Sequence, residues 1–169
     1  MLRFATLLLA ATLAGTSAGP DAAAAASGFE RLKALAGTWA ATGADGMTSK
    51  LTYEVIAGGT ALTERCEMTH DGHPVTMLTL YHLDGARLLL THYCMAGNQP
   101  RMEARTVSES EIVFGLVDAT GLDTPEEGHM ARAAWRFDGP DRFTSEWTFR
   151  SGDKDVFTEK QTATRAAVR

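Results

Sequence analysis

The feature that most constrains this chain is a rhythm of short β runs. From Lys50 to Thr164, segments rich in β-branched and aromatic residues follow one another, each ended by a turn signal. The predicted strands are Leu51–Ala57, Ala61–His70, His73–Leu83, Ala86–Met95, Arg101–Val107, Glu111–Val117, Met130–Phe137, Arg142–Arg150 and Asp155–Thr164. A first strand around Trp39–Thr42 brings the series to ten. Helical periodicity is absent throughout this region, so these strands have only one another to bury against. The expected fold is all-β: an antiparallel up-and-down meander of about ten strands that closes into a barrel, because closure removes both exposed edges.

One short helix precedes the strands. Ser27-Gly28-Phe29-Glu30 has the spacing of a capping box, Phe29, Leu32 and Leu35 fall at helical intervals, and Gly37 stands where the helix would stop. Upstream, Met1–Ala18 reads as an export signal. Arg3 supplies the positive start, Leu7 to Ala14 the apolar core, and Thr16-Ser17-Ala18 a small-residue cleavage site. The Ala22–Ala26 run offers cleavage as late as residue 26. The apolar core is short of the ~20 residues that span a bilayer, so no transmembrane helix is expected. The resulting division is a signal over 1–18, a flexible linker over 19–28 and one barrel domain over 29–169, in a periplasmic or secreted protein.

Charge excludes one class of function. With 16 basic and 21 acidic residues the formal net charge is −5, and no Lys/Arg run occurs. A nucleic-acid groove has no electrostatic basis in such a chain.

Two Asp-Gly pairs, Asp71-Gly72 and Asp84-Gly85, mark type I′ hairpins. Two-residue loops would set His70 opposite His73, Cys66 opposite Met77 and Glu64 opposite Thr79. From the second turn, Leu83 would face Ala86, Met77 would face His92 and Tyr81 would face Leu88. Opposed residues share a face. One face then carries Leu62, Glu64, Cys66, Met77, Tyr81, Leu90, His92 and Cys94, and it is expected to line the interior. The other carries Arg65, Glu67, Leu78, Leu80, His82, Leu89 and Tyr93.

Glu64, Tyr81, His92 and Cys94 are polar or reactive groups on an otherwise apolar wall. Buried polar groups need partners, so these four either satisfy one another or meet a ligand. Glu64 and His92 make the natural pair, since a carboxylate can fix an imidazole tautomer. Asn98, Gln99 and Arg101 follow in the next loop, where amides and a guanidinium suit a polar head group; Asn and Pro are also ordinary turn formers. The acidic connection Asp118–Gly128 is either a plain surface loop, the preferred reading, or a flap over one mouth.

Export invites a disulfide between Cys66 and Cys94, but two intervening strand spacings put their Cα atoms ~9–10 Å apart, beyond the reach of a bridge. His70 and His73 flank the first turn without a third ligand beside them, so no metal site is read there. Phosphate loops, nucleophile elbows and dinucleotide fingerprints are absent.

Leu-Lys-Ala-Leu-Ala-Gly-Thr-Trp at Leu32–Trp39 resembles the opening of calycin-type, lipocalin-like barrels, where a short helix leads into a Gly-x-Trp strand. The runs Tyr81–Gly85 and Thr91–Arg101, with Glu146-Trp147 near the end, are similar to an uncharacterised group of exported bacterial barrels, distantly like nitrobindins. The resemblance implies a barrel with an internal cavity. Nitrobindins hold haem through a histidine near the C-terminal end of the barrel; this chain has none after His129, which leaves His92 or Cys94 as axial candidates for haem.

The leading expectation is a barrel binding a small apolar or amphipathic molecule at Glu64, Tyr81, His92, Cys94, Asn98, Gln99 and Arg101. A protein-interaction or homodimerising module, using the outer patch of Leu78, Leu80, Leu89 and Tyr93, is the alternative. An enzyme with Glu64 and His92 as acid and base is a further one.

Overall fold

A computed structural model describes residues 19–167; the predicted export signal, Met1–Ala18, lies outside the described residues. A single helix, α1 (Ala22–Lys33), precedes ten strands: β1 (Gly37–Gly43), β2 (Thr48–Ile56), β3 (Ala61–His70), β4 (His73–Asp84), β5 (Arg87–Tyr93), β6 (Gln99–Val107), β7 (Glu111–Thr120), β8 (His129–Gly139), β9 (Arg142–Ser151) and β10 (Lys154–Arg165). Each strand pairs antiparallel with the next in sequence, and β1 pairs with β10 to close the barrel. The predicted all-β meander is therefore the fold. Closure leaves no edge strand to be blunted.

The first hairpin has the register read from sequence, with His70 opposite His73, Cys66 opposite Met77 and Glu64 opposite Thr79. Asp71 and Gly72 both take positive φ, 49° and 78°, as a type I′ turn requires. The second hairpin differs. Its loop is Gly85-Ala86, so Asp84 faces Arg87, Thr79 faces His92 and Tyr81 faces Leu90. Gly85 takes φ 58° at the first loop position, the place a glycine holds in a type II′ turn. The slip from the expected register is two residues, and a two-residue slip keeps every side chain on its predicted face. Leu62, Glu64, Cys66, Tyr81, Leu90 and His92 are accordingly buried inside.

The helix begins earlier than the capping-box spacing predicts. Asp21 is the N-cap, its carboxylate accepting from the Ala24 amide at 2.8 Å. Alanine is the best helix former, so Ala22–Ala26 extends the helix through most of the predicted linker. Glu30 pairs instead with Lys33, one turn on, at 2.6 Å. The helix lays Ala25, Gly28, Phe29 and Leu32 against the base of the barrel. A Cβ at Gly28 would meet Val107 at 3.0 Å and Leu88 at 3.2 Å, so the close approach depends on glycine.

Trp39 seals this end from inside. It is fully buried, its indole N–H donates to the Leu35 carbonyl at 2.7 Å, and its ring meets Phe143 edge-on at 4.8 Å. From outside, the Arg165 guanidinium lies over the same ring at 4.2 Å and donates to the carbonyls of Ala34, Ala36 and Pro140. One cation thus ties the helix C-terminus, the β8–β9 turn and the last strand together. The base is closed; the other end is where the barrel opens.

Candidate functional site

The open end is an apolar funnel of about 540 Å³, walled by β3, β4, β8, β9 and β10 and by the loops after β1 and β5. Of the chain's seven methionines, Met47, Met68, Met77, Met95 and Met130 line it, with Phe149 and Phe157 stacked at 5.1 Å on the far wall. Cys94 and His70 stand at its rim. Below it lies a chamber of about 40 Å³ lined by Glu64, Cys66, Thr79, His92, Trp147 and Gln161. Met68, Met77, Met130 and Glu159 line both spaces, so the funnel runs into the chamber.

The rows of the sheet explain the chamber's chemistry. Interior positions of β3, β4 and β5 align as Glu64–Thr79–His92, one residue pair deeper than Cys66–Met77. Glu64 is buried and accepts from the Tyr81 hydroxyl; Tyr53 lies within hydrogen-bonding reach of the same carboxyl, and its own hydroxyl accepts from Trp135 at 3.4 Å. Burial raises the Glu64 pKa to about 7, while the two tyrosine hydroxyls pull it the other way. Burial likewise holds both tyrosines well above their ordinary range. Cys66 is pushed up to about 12 by burial and by the Glu64 charge, so it is a neutral thiol.

His92 is pressed against Trp147, ring centroids 4.6 Å apart, and burial lowers its pKa to about 4. Its Nδ1 sits 3.0 Å from the Thr79 hydroxyl. Its Nε2 is buried and has no partner. Two other buried side-chain atoms among the described residues share that condition, His82 Nδ1 and Asn98 Oδ1, but neither residue lines the funnel or the chamber.

The expected Glu64–His92 pair does not form. Two strand spacings separate them, roughly 10 Å, and Thr79 occupies the place between. The acid–base reading loses its contact. Tyr81 and Glu64 meet as an internal pair, and Cys94 reaches the mouth.

Asn98, Gln99 and Arg101 do not line either space. The Asn98 amide donates to the Gly128 carbonyl at 2.9 Å. The Gln99 amide donates to Gly97 and accepts from Thr120. Arg101 makes a two-pronged pair with Asp118 on the outer wall. Together they pin the Asp118–Gly128 connection, which is further held where Ser151 and the Gly152 amide donate to the Glu126 carbonyl. That connection is a tied rim element.

Sequence reasoning missed Tyr53 and Trp147, and it placed Thr79 opposite Glu64 without counting it among the site residues. Thr79 was readable from the first hairpin, because it faces Glu64 in either register of the second. Tyr53 and Trp147 lie on β2 and β9, where no Asp-Gly turn fixes the register.

Both cysteines are free, as the strand spacing predicts. Among the described residues, no three His, Cys, Asp or Glu side chains gather as a metal site, and no helix is long and apolar enough to cross a membrane. Haem does not fit. Drug-sized ligands alone need ~300–1,000 Å³, whereas the chamber that His92 lines is about 40 Å³, with Trp147 against the ring.

No family model matches the chain, and no curated protein matches it. Among solved structures it is similar to Rv2717c from M. tuberculosis, with 18% identity, 83% of this chain and 98% of that one covered, and a TM-score of 0.58. Two redesigned β-barrels also align: b11L5F_LGL, at 14% identity over 80% of this chain and 95% of that one (TM-score 0.43), and mFAP1 bound to DFHBI, at 15% over 80% and 97% (TM-score 0.41). At such identities the likeness to Rv2717c establishes the fold alone: this chain is a ten-stranded antiparallel β-barrel with barrel-type structural neighbours.

Proposed function

We propose that this protein is an exported carrier or receptor for a small apolar or amphipathic molecule, which enters through the open end. The observation that carries the reading is the funnel: about 540 Å³ of largely apolar space at one end of a barrel sealed at the other. Thioethers on flexible side chains adapt to varied apolar shapes, and exposed Met95 and Phe157 at the lip give an apolar ligand its first contact. The ligand's apolar body would lie against Met68, Met77, Met130 and Phe149. Export rests on the Met1–Ala18 pattern, and the helix supports the earlier cleavage site, since cutting after Ala26 would remove the Asp21 cap and the fully buried Ala25.

Native mass spectrometry of protein purified from its own host, together with thermal shift against fatty acids, fatty alcohols and aromatic amphiphiles, tests the reading. A bound small molecule, or a shift that grows with ligand concentration, is expected. A ligand-free protein that responds to no member of the panel overturns it. The dimerising alternative rests on Leu78 and Tyr93, paired across the outer wall and both exposed; a monomer in light scattering removes it.

A further inference from the structure

The chamber beneath the funnel has, in His92 and Cys66, donors that the organic-ligand reading does not use. His92 Nε2 is a buried nitrogen with no partner, and it shares walls with the thioethers of Met68, Met77 and Met130 and the thiol of Cys66. We infer that this chamber is a binding site for a soft monovalent cation, Cu(I) or Ag(I), held by His92 Nε2 and the sulfur atoms of Met77, Met68, Met130 and Cys66.

The Thr79 hydroxyl lies 3.0 Å from His92 Nδ1. In the tautomer that carries its proton on Nδ1, Thr79 accepts that hydrogen bond and Nε2 keeps a bare lone pair. A metal-binding histidine is commonly oriented in this way, by a hydrogen bond at its other nitrogen.

The sulfur donors select the ion. Thioether and thiol ligands suit Cu(I), whereas a zinc site would call for thiolates or more nitrogen and oxygen ligands. Size agrees as well: about 40 Å³ is close to the ~30 Å³ that one water occupies in the liquid, room for an ion and little else. Glu64, in the same row as His92, supplies a negative charge when ionised to offset the cation.

The ion would share Met68, Met77 and Met130 with the organic ligand of the proposed function, so the test uses ligand-free protein. Ag(I) serves as the redox-inert probe, added to protein carrying Cys94→Ser so that the thiol at the mouth cannot capture it. Native mass spectrometry should show one tightly held silver ion per chain, with a raised melting temperature, and no adduct with Zn²⁺. His92→Gln and Met77→Leu should each weaken the affinity by at least the roughly 10–100-fold that even outer-shell changes cost; Met→Leu conserves volume, so the second variant keeps the fold if the first does not. Competition with a Cu(I) chelator under anaerobic reducing conditions should give the same ranking. Absence of a silver adduct, or an adduct that both variants leave unchanged, overturns the site.

Discussion

At the base of the barrel, Trp39, Phe143, Leu62 and Leu32 fill the interior, and Arg165 clamps the seam from outside. At the mouth, the same strands carry methionines, cysteines and a histidine around open space. The backbone is one continuous ladder, so the contrast lies in the side chains. Rigid aromatics at the base pack to a single arrangement, whereas unbranched thioethers at the mouth leave volume and can rearrange. Stability is concentrated at one end, which frees the other to bind.

The sharpest way to break this contrast is to remove one large side chain from each end. Trp39→Ala should cost about 3–5 kcal/mol in urea unfolding, whereas Met77→Ala, which truncates a half-buried side chain beside open space, should cost about 2 kcal/mol or less. Equal losses would show that the mouth is as tightly packed as the base.

The next test concerns the buried polar row between the ends. Glu64 has a folded pKa of about 7 against 4.5 for a free carboxyl, so the native state takes up its proton more readily than the unfolded chain. Its contribution is whole below pH 4.5 and is lost as pH rises toward 7. His92 has a folded pKa of about 4 against 6.5, so the unfolded chain binds more protons there and stability rises with pH from 4 to 6.5. The two slopes oppose each other and nearly cancel between pH 4.5 and 6.5. Relative to the wild type, Glu64→Gln should make stability climb through that window and His92→Gln should make it fall, each by roughly 3 kcal/mol over its full range. Parallel pH profiles for all three proteins would mean the row is wetter than its burial implies.

Smaller effects follow at the periphery. Asp21→Ala removes the cap of the helix that covers the base and should cost ~1 kcal/mol, measured by thermal melting. Arg101→Ala removes an exposed ion pair on the outer wall and should change neither the melting temperature nor ligand affinity measurably. A loss of affinity in that variant would return Arg101 to the binding site.

How much was legible in the sequence varied by region. The strands from β3 to β10 begin and end within a few residues of their predicted limits, because alternation and turn residues act locally. The interior wall of Glu64, Tyr81 and His92 was also legible, since face assignment depends only on parity and survived the two-residue slip at Gly85-Ala86. The helix start was misread because Ser27 and Glu30 have capping spacing, while an alanine run, whose helical preference is strong, extends past them to Asp21. Asn98, Gln99 and Arg101 read as a recognition loop, and their partners turned out to be the Asp118–Gly128 connection.

By itself the sequence determined the fold class, the order of strands and which residues face inward, because period-two alternation and φ-demanding turns are properties of a few neighbouring residues. The tertiary structure decided what those inward residues meet. Thr79 between Glu64 and His92, Trp147 against the imidazole, and the methionines of β3, β4 and β8 around one chamber all depend on registers summed around a closed barrel. No local signal records that sum.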